Sequence, residues 1–113
     1  MPDWPTTPIR DDTVVLRPDA RLNLAVAPEL REQLRGLVQS GYSRIVVDLA
    51  GVESIDSSGL GALVSGLKAA RQAGGDLLIT APSAQVVAVL ELTNLDKVLK
   101  ATATVEEAFD GPD

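Results

Sequence analysis

The residues that could do chemistry are gathered in Ile55-Asp56-Ser57-Ser58-Gly59-Leu60-Gly61, where two hydroxyls follow a carboxylate and an apolar, helix-spaced run begins. A helix start exposes unpaired N–H groups and carries about half a positive charge, so it favours an anion or a phosphate there. Either serine can cap such a helix by accepting from an N–H two or three residues on. Gly59 and Gly61 each cost about 1 kcal/mol of helix propensity against Ala. In return they allow close approach, either of the helix to a sheet or of a partner to the helix. On the residues alone the run reads two ways, as a capped helix start packed on a strand or as a functional hydroxyl.

Catalytic readings of the neighbourhood fail one by one. A nucleophile elbow needs glycine where Ile55 stands, and the chain has no histidine to serve as base. Ser65-Gly66-Leu67-Lys68 matches S-x-x-K, but mid-helix and without its companion motifs. Gly59-Leu60-Gly61 opens a dinucleotide fingerprint that Val64 breaks at the third glycine. Asp48 ends a strand as a phospho-acceptor aspartate would, yet Arg17-Pro18-Asp19 stands where an acidic pair belongs. An enzyme using Ser57 as nucleophile is therefore the weakest of the functional readings.

The whole chain narrows the field further. Its 113 residues, 45% hydrophobic, suit one ordinary domain with a real core. Trp4, Tyr42 and Phe109 are its only aromatics, so the core must be Leu, Val, Ile and Ala, with little to stack on bases. A formal charge of −6 makes nucleic acid a poor partner. The absence of both Cys and His removes disulfides, thiol chemistry, Cys/His metal sites and every His-based triad. The polar, proline-punctuated N-terminus is unlike a signal peptide, and the longest apolar run, Val86 to Leu90, is far too short to span a membrane. The expectation is a soluble cytoplasmic domain.

The elements that must position the motif follow from periodicity. Residues 1–12, with three prolines and Asp11-Asp12, are expected to be a flexible tail. Thr13 to Arg17 reads as a strand, and Arg21-Leu22-Asn23 as a brief second one. Pro28 opens a helix with Leu30, Leu34, Leu37 and Val38 on one face, stopped by Gly41. Arg44 to Leu49 is a central strand buried on both faces. Ala50 to Gly59 is expected to be a loop, followed by a helix from Ser58 to Ala73 and a stop at Gly74-Gly75. Leu77 to Thr80 is a further buried strand. A third helix follows Pro82-Ser83 and ends near Thr93-Asn94. A short strand within Leu95 to Thr102 and a capped helix over Thr104 to Phe109 complete the pattern, with 110–113 as a C-terminal tail. Helices linking buried strands predict an α/β layer fold with a parallel centre.

Val46-Val47-Asp48-Leu49-Ala50-Gly51-Val52, followed by Ile55-Asp56-Ser57-Ser58-Gly59-Leu60-Gly61, strongly resembles the STAS domain of bacterial anti-sigma factor antagonists. The likeness extends to Ala27-Pro28-Glu29-Leu30-Arg31, to Gly74-Gly75 before Leu77-Leu78-Ile79, and to Leu90-Glu91-Leu92-Thr93-Asn94-Leu95, covering residues 13–109. It implies a single α/β domain, a mixed sheet of four to five strands packed against about four helices.

The resemblance also implies partner switching. The antagonist would bind an anti-sigma factor that is itself a serine kinase with a histidine-kinase-like ATPase fold, freeing a sigma factor. The kinase would phosphorylate the first serine of the motif, here Ser57, and a PP2C-type phosphatase would restore the active form. Partner contact is expected at Asn23, Asp56, Ser57, Ser58, Gly59 and Leu60, with Asp56 either orienting the turn or contacting the kinase active site and Ser58 capping the helix. Asn23 stands where the family commonly has an acid, and Val26 where a threonine often caps the first helix. No cofactor of its own is expected, and the oligomeric state is a monomer or weak dimer. The alternative is a STAS accessory part of a membrane transport ATPase or signalling complex without phosphate turnover.

Overall fold

The computed structural model describes residues 4–102. In chain order the elements are β1 (Thr6–Arg10), β2 (Thr13–Leu16), β3 (Asp19–Leu22), α1 (Ala27–Gln39), β4 (Arg44–Asp48), β5 (Gly51–Ile55), α2 (Ser57–Gln72), β6 (Asp76–Thr80), α3 (Ala84–Leu92), a 3-10 turn (Leu95–Lys97) and β7 (Ala101–Thr102). The main sheet has the order β1-β2-β4-β6-β7, with β1 antiparallel to β2 and every other neighbour parallel. It is the expected mixed sheet, with five strands where four to five were expected. The described helices are three, and the helix expected over Thr104 to Phe109 and the tail at 110–113 lie outside the described residues.

The near-continuous apolar runs are central for a reason. Val14, Leu16, Ile45, Val47, Leu77 and Ile79 join one cluster with Leu30 and Leu34 of α1 and Leu60, Leu63 and Leu67 of α2. Val15, Val46 and Leu78 alternate with them, pair in register across the sheet, and are buried as well. A strand covered on both faces cannot show a polar alternation. The expected helix stops at Gly41, Gly74 and Asn94 all adopt left-handed backbone, with φ of 103°, 89° and 60°. Asp48 closes β4, accepting from the Ala50 N–H at 3.0 Å and pairing with Arg17 at 3.5 Å.

Two expectations are overturned. The first is the tail. Residues 6–10 form an edge strand, and Trp4 is only 8% exposed. Its N–H donates to Gln33 Oε1 at 3.2 Å and its carbonyl accepts from Gln33 Nε2 at 2.8 Å, which pins the segment to α1. Prolines are tolerated on an edge strand because no inner ladder bond is lost there.

The second is the loop from Ala50 to Gly59, half of which is β5, paired parallel to β3. A register shift leaves Glu53 unpaired between Val52 and Ser54, so buried Val52 and Ile55 are spaced by three residues instead of two. This small second sheet places the β3–α1 turn beside the start of α2. No described helix is long and apolar enough to cross a membrane.

Candidate functional site

Between the last residue of β5 and the first of α2 stands Asp56, in extended backbone. Its Oδ1 accepts from the Gly59 N–H at 3.0 Å, which makes it the N-cap of α2. Its Oδ2 accepts from the Leu24 N–H at 3.2 Å, and its own N–H donates to the Leu22 carbonyl at 3.2 Å. One exposed carboxylate thus holds the β3–α1 turn against the helix start. Of the two roles expected of Asp56, its hydrogen bonds here are those of the residue that orients the turn. The capping role expected of Ser58 belongs to Asp56 instead, because the helix begins one residue earlier than its apolar spacing suggests. The half-buried Ser58 hydroxyl makes no hydrogen bond among the described residues.

Asn23 is brought to the same place. Its Oδ1 accepts from the Ala25 N–H at 3.0 Å, and its carbonyl accepts from Val26 and Ala27 at 3.1 and 2.9 Å. This turn, with Pro28 in the first turn of α1, opens that helix although Val26 offers no side-chain cap. Gly59 and Leu60, expected at the contact, are both buried, Leu60 while lining the same cavity as Ser57. A Cβ on Gly59 would run into the Leu22 carbonyl oxygen and stand 2.9 Å from Ile55 Cγ1. The close approach that the glycine permits is therefore of helix to strand. Leu60 is 2% exposed and belongs to the core.

Ser57 is the residue left over. It is exposed at the first position of α2, and because Asp56 supplies the cap, its hydroxyl bonds to no described residue. It opens onto a cavity of about 470 Å³ shared by Arg31 of α1, Gly61, Ser65 and Lys68 of α2, and Thr93 at the end of α3. Leu24 beside Asp56 is 72% exposed, and Leu92, next to Thr93, is 85% exposed. Sequence reasoning missed Arg31, Lys68 and Thr93 as neighbours of Ser57 in this cavity. The signal for part of this was present: Gly61, Ser65 and Lys68 follow Ser57 at i+4, i+8 and i+11, one stripe of a helix. Ser65 and Lys68, noticed only as a failed acyl-enzyme motif, are walls of this cavity.

The family model for the STAS domain matches residues 5–108. The chain belongs to the STAS domain family. Relatives of this STAS domain include a Thermotoga maritima protein provisionally named an anti-sigma factor antagonist, 38% identical over 103 residues, covering 90% of this chain and 91% of that one. A Staphylococcus aureus anti-sigma-B factor antagonist is 31% identical over 100 residues, with 88% and 93% covered. A crystal structure of a Thermotoga maritima protein bearing the same provisional name superposes with a TM-score of 0.86 at 37% identity, covering 95% of this chain and 92% of that one. SpoIIAA, an anti-sigma factor antagonist, shares the fold in its unphosphorylated form (TM-score 0.81, 23% identity, 96% and 94% covered) and in its phosphorylated form (0.73, 22%, 96% and 97%). These named relatives are anti-sigma factor antagonists, and the match of fold and sequence extends over nearly the whole chain.

Proposed function

We propose that this STAS domain is an anti-sigma factor antagonist. In this reading it binds, in the cytoplasm, an anti-sigma factor that is also a serine kinase with a histidine-kinase-like ATPase fold, and the binding releases a sigma factor. The observation that carries the reading is the unused hydroxyl of Ser57, exposed at a helix start that another residue already caps. In the switching step Ser57 Oγ attacks the γ-phosphorus of ATP. The new O–P bond forms as the bond to the departing ADP breaks, and the hydroxyl proton is lost. A PP2C-type phosphatase reverses the state by hydrolysis, with water entering and phosphate leaving.

The local physics supports such a switch. A phosphoryl group brings about −1.5 to −2 charges and three acceptor oxygens to a place that the fold does not use. Across an interface, unfavourable charge of ~3 kcal/mol weakens binding about a hundredfold. Exposed Leu24, tied to Asp56 beside Ser57, adds an apolar contact for a protein partner.

The test is a pull-down from native lysate with wild type, Ser57→Asp and Ser57→Ala as baits, read by mass spectrometry. Wild type and Ser57→Ala should capture a histidine-kinase-like ATPase, and Ser57→Asp should lose it. Added ATP should elute the kinase from wild type but not from Ser57→Ala. Capture of a transport ATPase equally by all three baits would overturn the reading in favour of an accessory domain.

A further inference from the structure

The cavity beside Ser57 is unusual in its charge. In a chain of formal charge −6 it presents two cations, Arg31 and Lys68. Arg17, Arg35 and Arg71 each pair with a carboxylate, at 3.5, 3.6 and 3.3 Å. Arg31 and Lys68 make no ion pair or hydrogen bond with any described residue. A guanidinium that pairs with no described residue and stands beside a cavity can take an anion.

The exposed Arg31 side chain reaches α2 beside a glycine. A Cβ built on Gly61 would stand 3.2 Å from Arg31 Nη2, so the guanidinium lies against the bare backbone of α2 there. Gly61 is four residues after Ser57, hence one turn along the same face of α2. The fork of Arg31 and the hydroxyl of Ser57 therefore open onto the same space, with Lys68 two turns beyond Gly61.

We propose that Arg31 is the receptor, within the chain itself, for the phosphoryl group carried by Ser57. Two guanidinium N–H groups donate to two phosphoryl oxygens, the geometry in which Arg surpasses Lys, while Lys68 adds positive potential at longer range. This rests on the reading of Ser57 as the phosphoacceptor and adds where the phosphate goes. It also gives the switch a second component. Unmodified, Arg31 is a free cation that a partner's carboxylate can reach; after modification it is neutralised from inside.

The test does not need the kinase. Phosphoserine is incorporated at position 57 of the full chain during translation, and the phosphate is titrated by 31P NMR in wild type, Arg31→Gln, Arg31→Lys and Arg35→Gln. The second phosphate pKa, ordinarily near 6, should be lower in wild type than in Arg31→Gln by about half a unit to one unit, the cation being partly screened. Arg31→Lys should keep part of the shift. Arg35→Gln, which removes the same charge from α1 outside the cavity, should match wild type. Equal values in wild type and Arg31→Gln, both folded by their amide spectra, would overturn the receptor. Because the phosphate is installed directly, that result would leave the partner switch standing, and loss of the switch in pull-down would not touch the receptor.

Discussion

At the scale of single residues, the site separates holding from switching. Asp56 performs the structural work of the helix start, with both carboxylate oxygens engaged. Ser57 and Ser58 are free of it. Asp56→Ala should therefore cost about 1–2 kcal/mol, the loss of a cap together with a tie to the neighbouring turn. Ser58→Ala should stay within about 0.5 kcal/mol of wild type. Urea denaturation of the two variants checks the assignment, and a larger loss for Ser58→Ala would return the cap to Ser58. Sequence reasoning placed the cap on a serine and passed over Asp56, although aspartate and serine are equally good caps and the choice turns on a helix boundary one residue away. Arg31 was hidden for a different reason. The role proposed for it follows from its place beside Gly61 of α2, whereas in the sequence an Arg on the polar face of α1 looks like any other solvated charge.

The elements show the same division between what is periodic and what is imposed. Helices α1, α2 and α3 and strands β4 and β6 were legible because their apolar residues repeat at 3.6-residue spacing or run continuously through a doubly covered sheet. Strand β5 was not, since the bulge at Glu53 breaks the two-residue alternation that would announce it. Strand β1 was not either, since all five of its residues are exposed and none reports a buried face. Glycines on helices likewise divide by what they meet. Gly59→Ala forces a Cβ into the Leu22 carbonyl oxygen and should destabilise by about 1–3 kcal/mol. Gly36→Ala, with open space around it on the outer face of α1, should stabilise by up to about 1 kcal/mol. Thermal or urea melts of the pair give opposite signs if the helix-to-strand approach is as described.

For the molecule as a whole, the segment from Trp4 to Arg10 belongs to the folding unit. Trp4 is the only tryptophan, and it is buried against α1. Its fluorescence should be blue-shifted in the native protein and should shift red at the same denaturant midpoint as the far-ultraviolet circular dichroism, as a two-state domain requires. A tryptophan already solvent-like before denaturation would mean that the segment is detached. The edge strand has a further consequence. A sheet border is a row of vacant hydrogen-bonding groups on which a foreign strand can grow, and soluble proteins guard such borders. Here Pro8 sits mid-strand with no N–H to offer, and the irregular register between Pro8 and Arg10 bends the border beyond it. The outermost strand is thus a poor template for further growth, protecting this side of the sheet against fibrous association of one copy with the next.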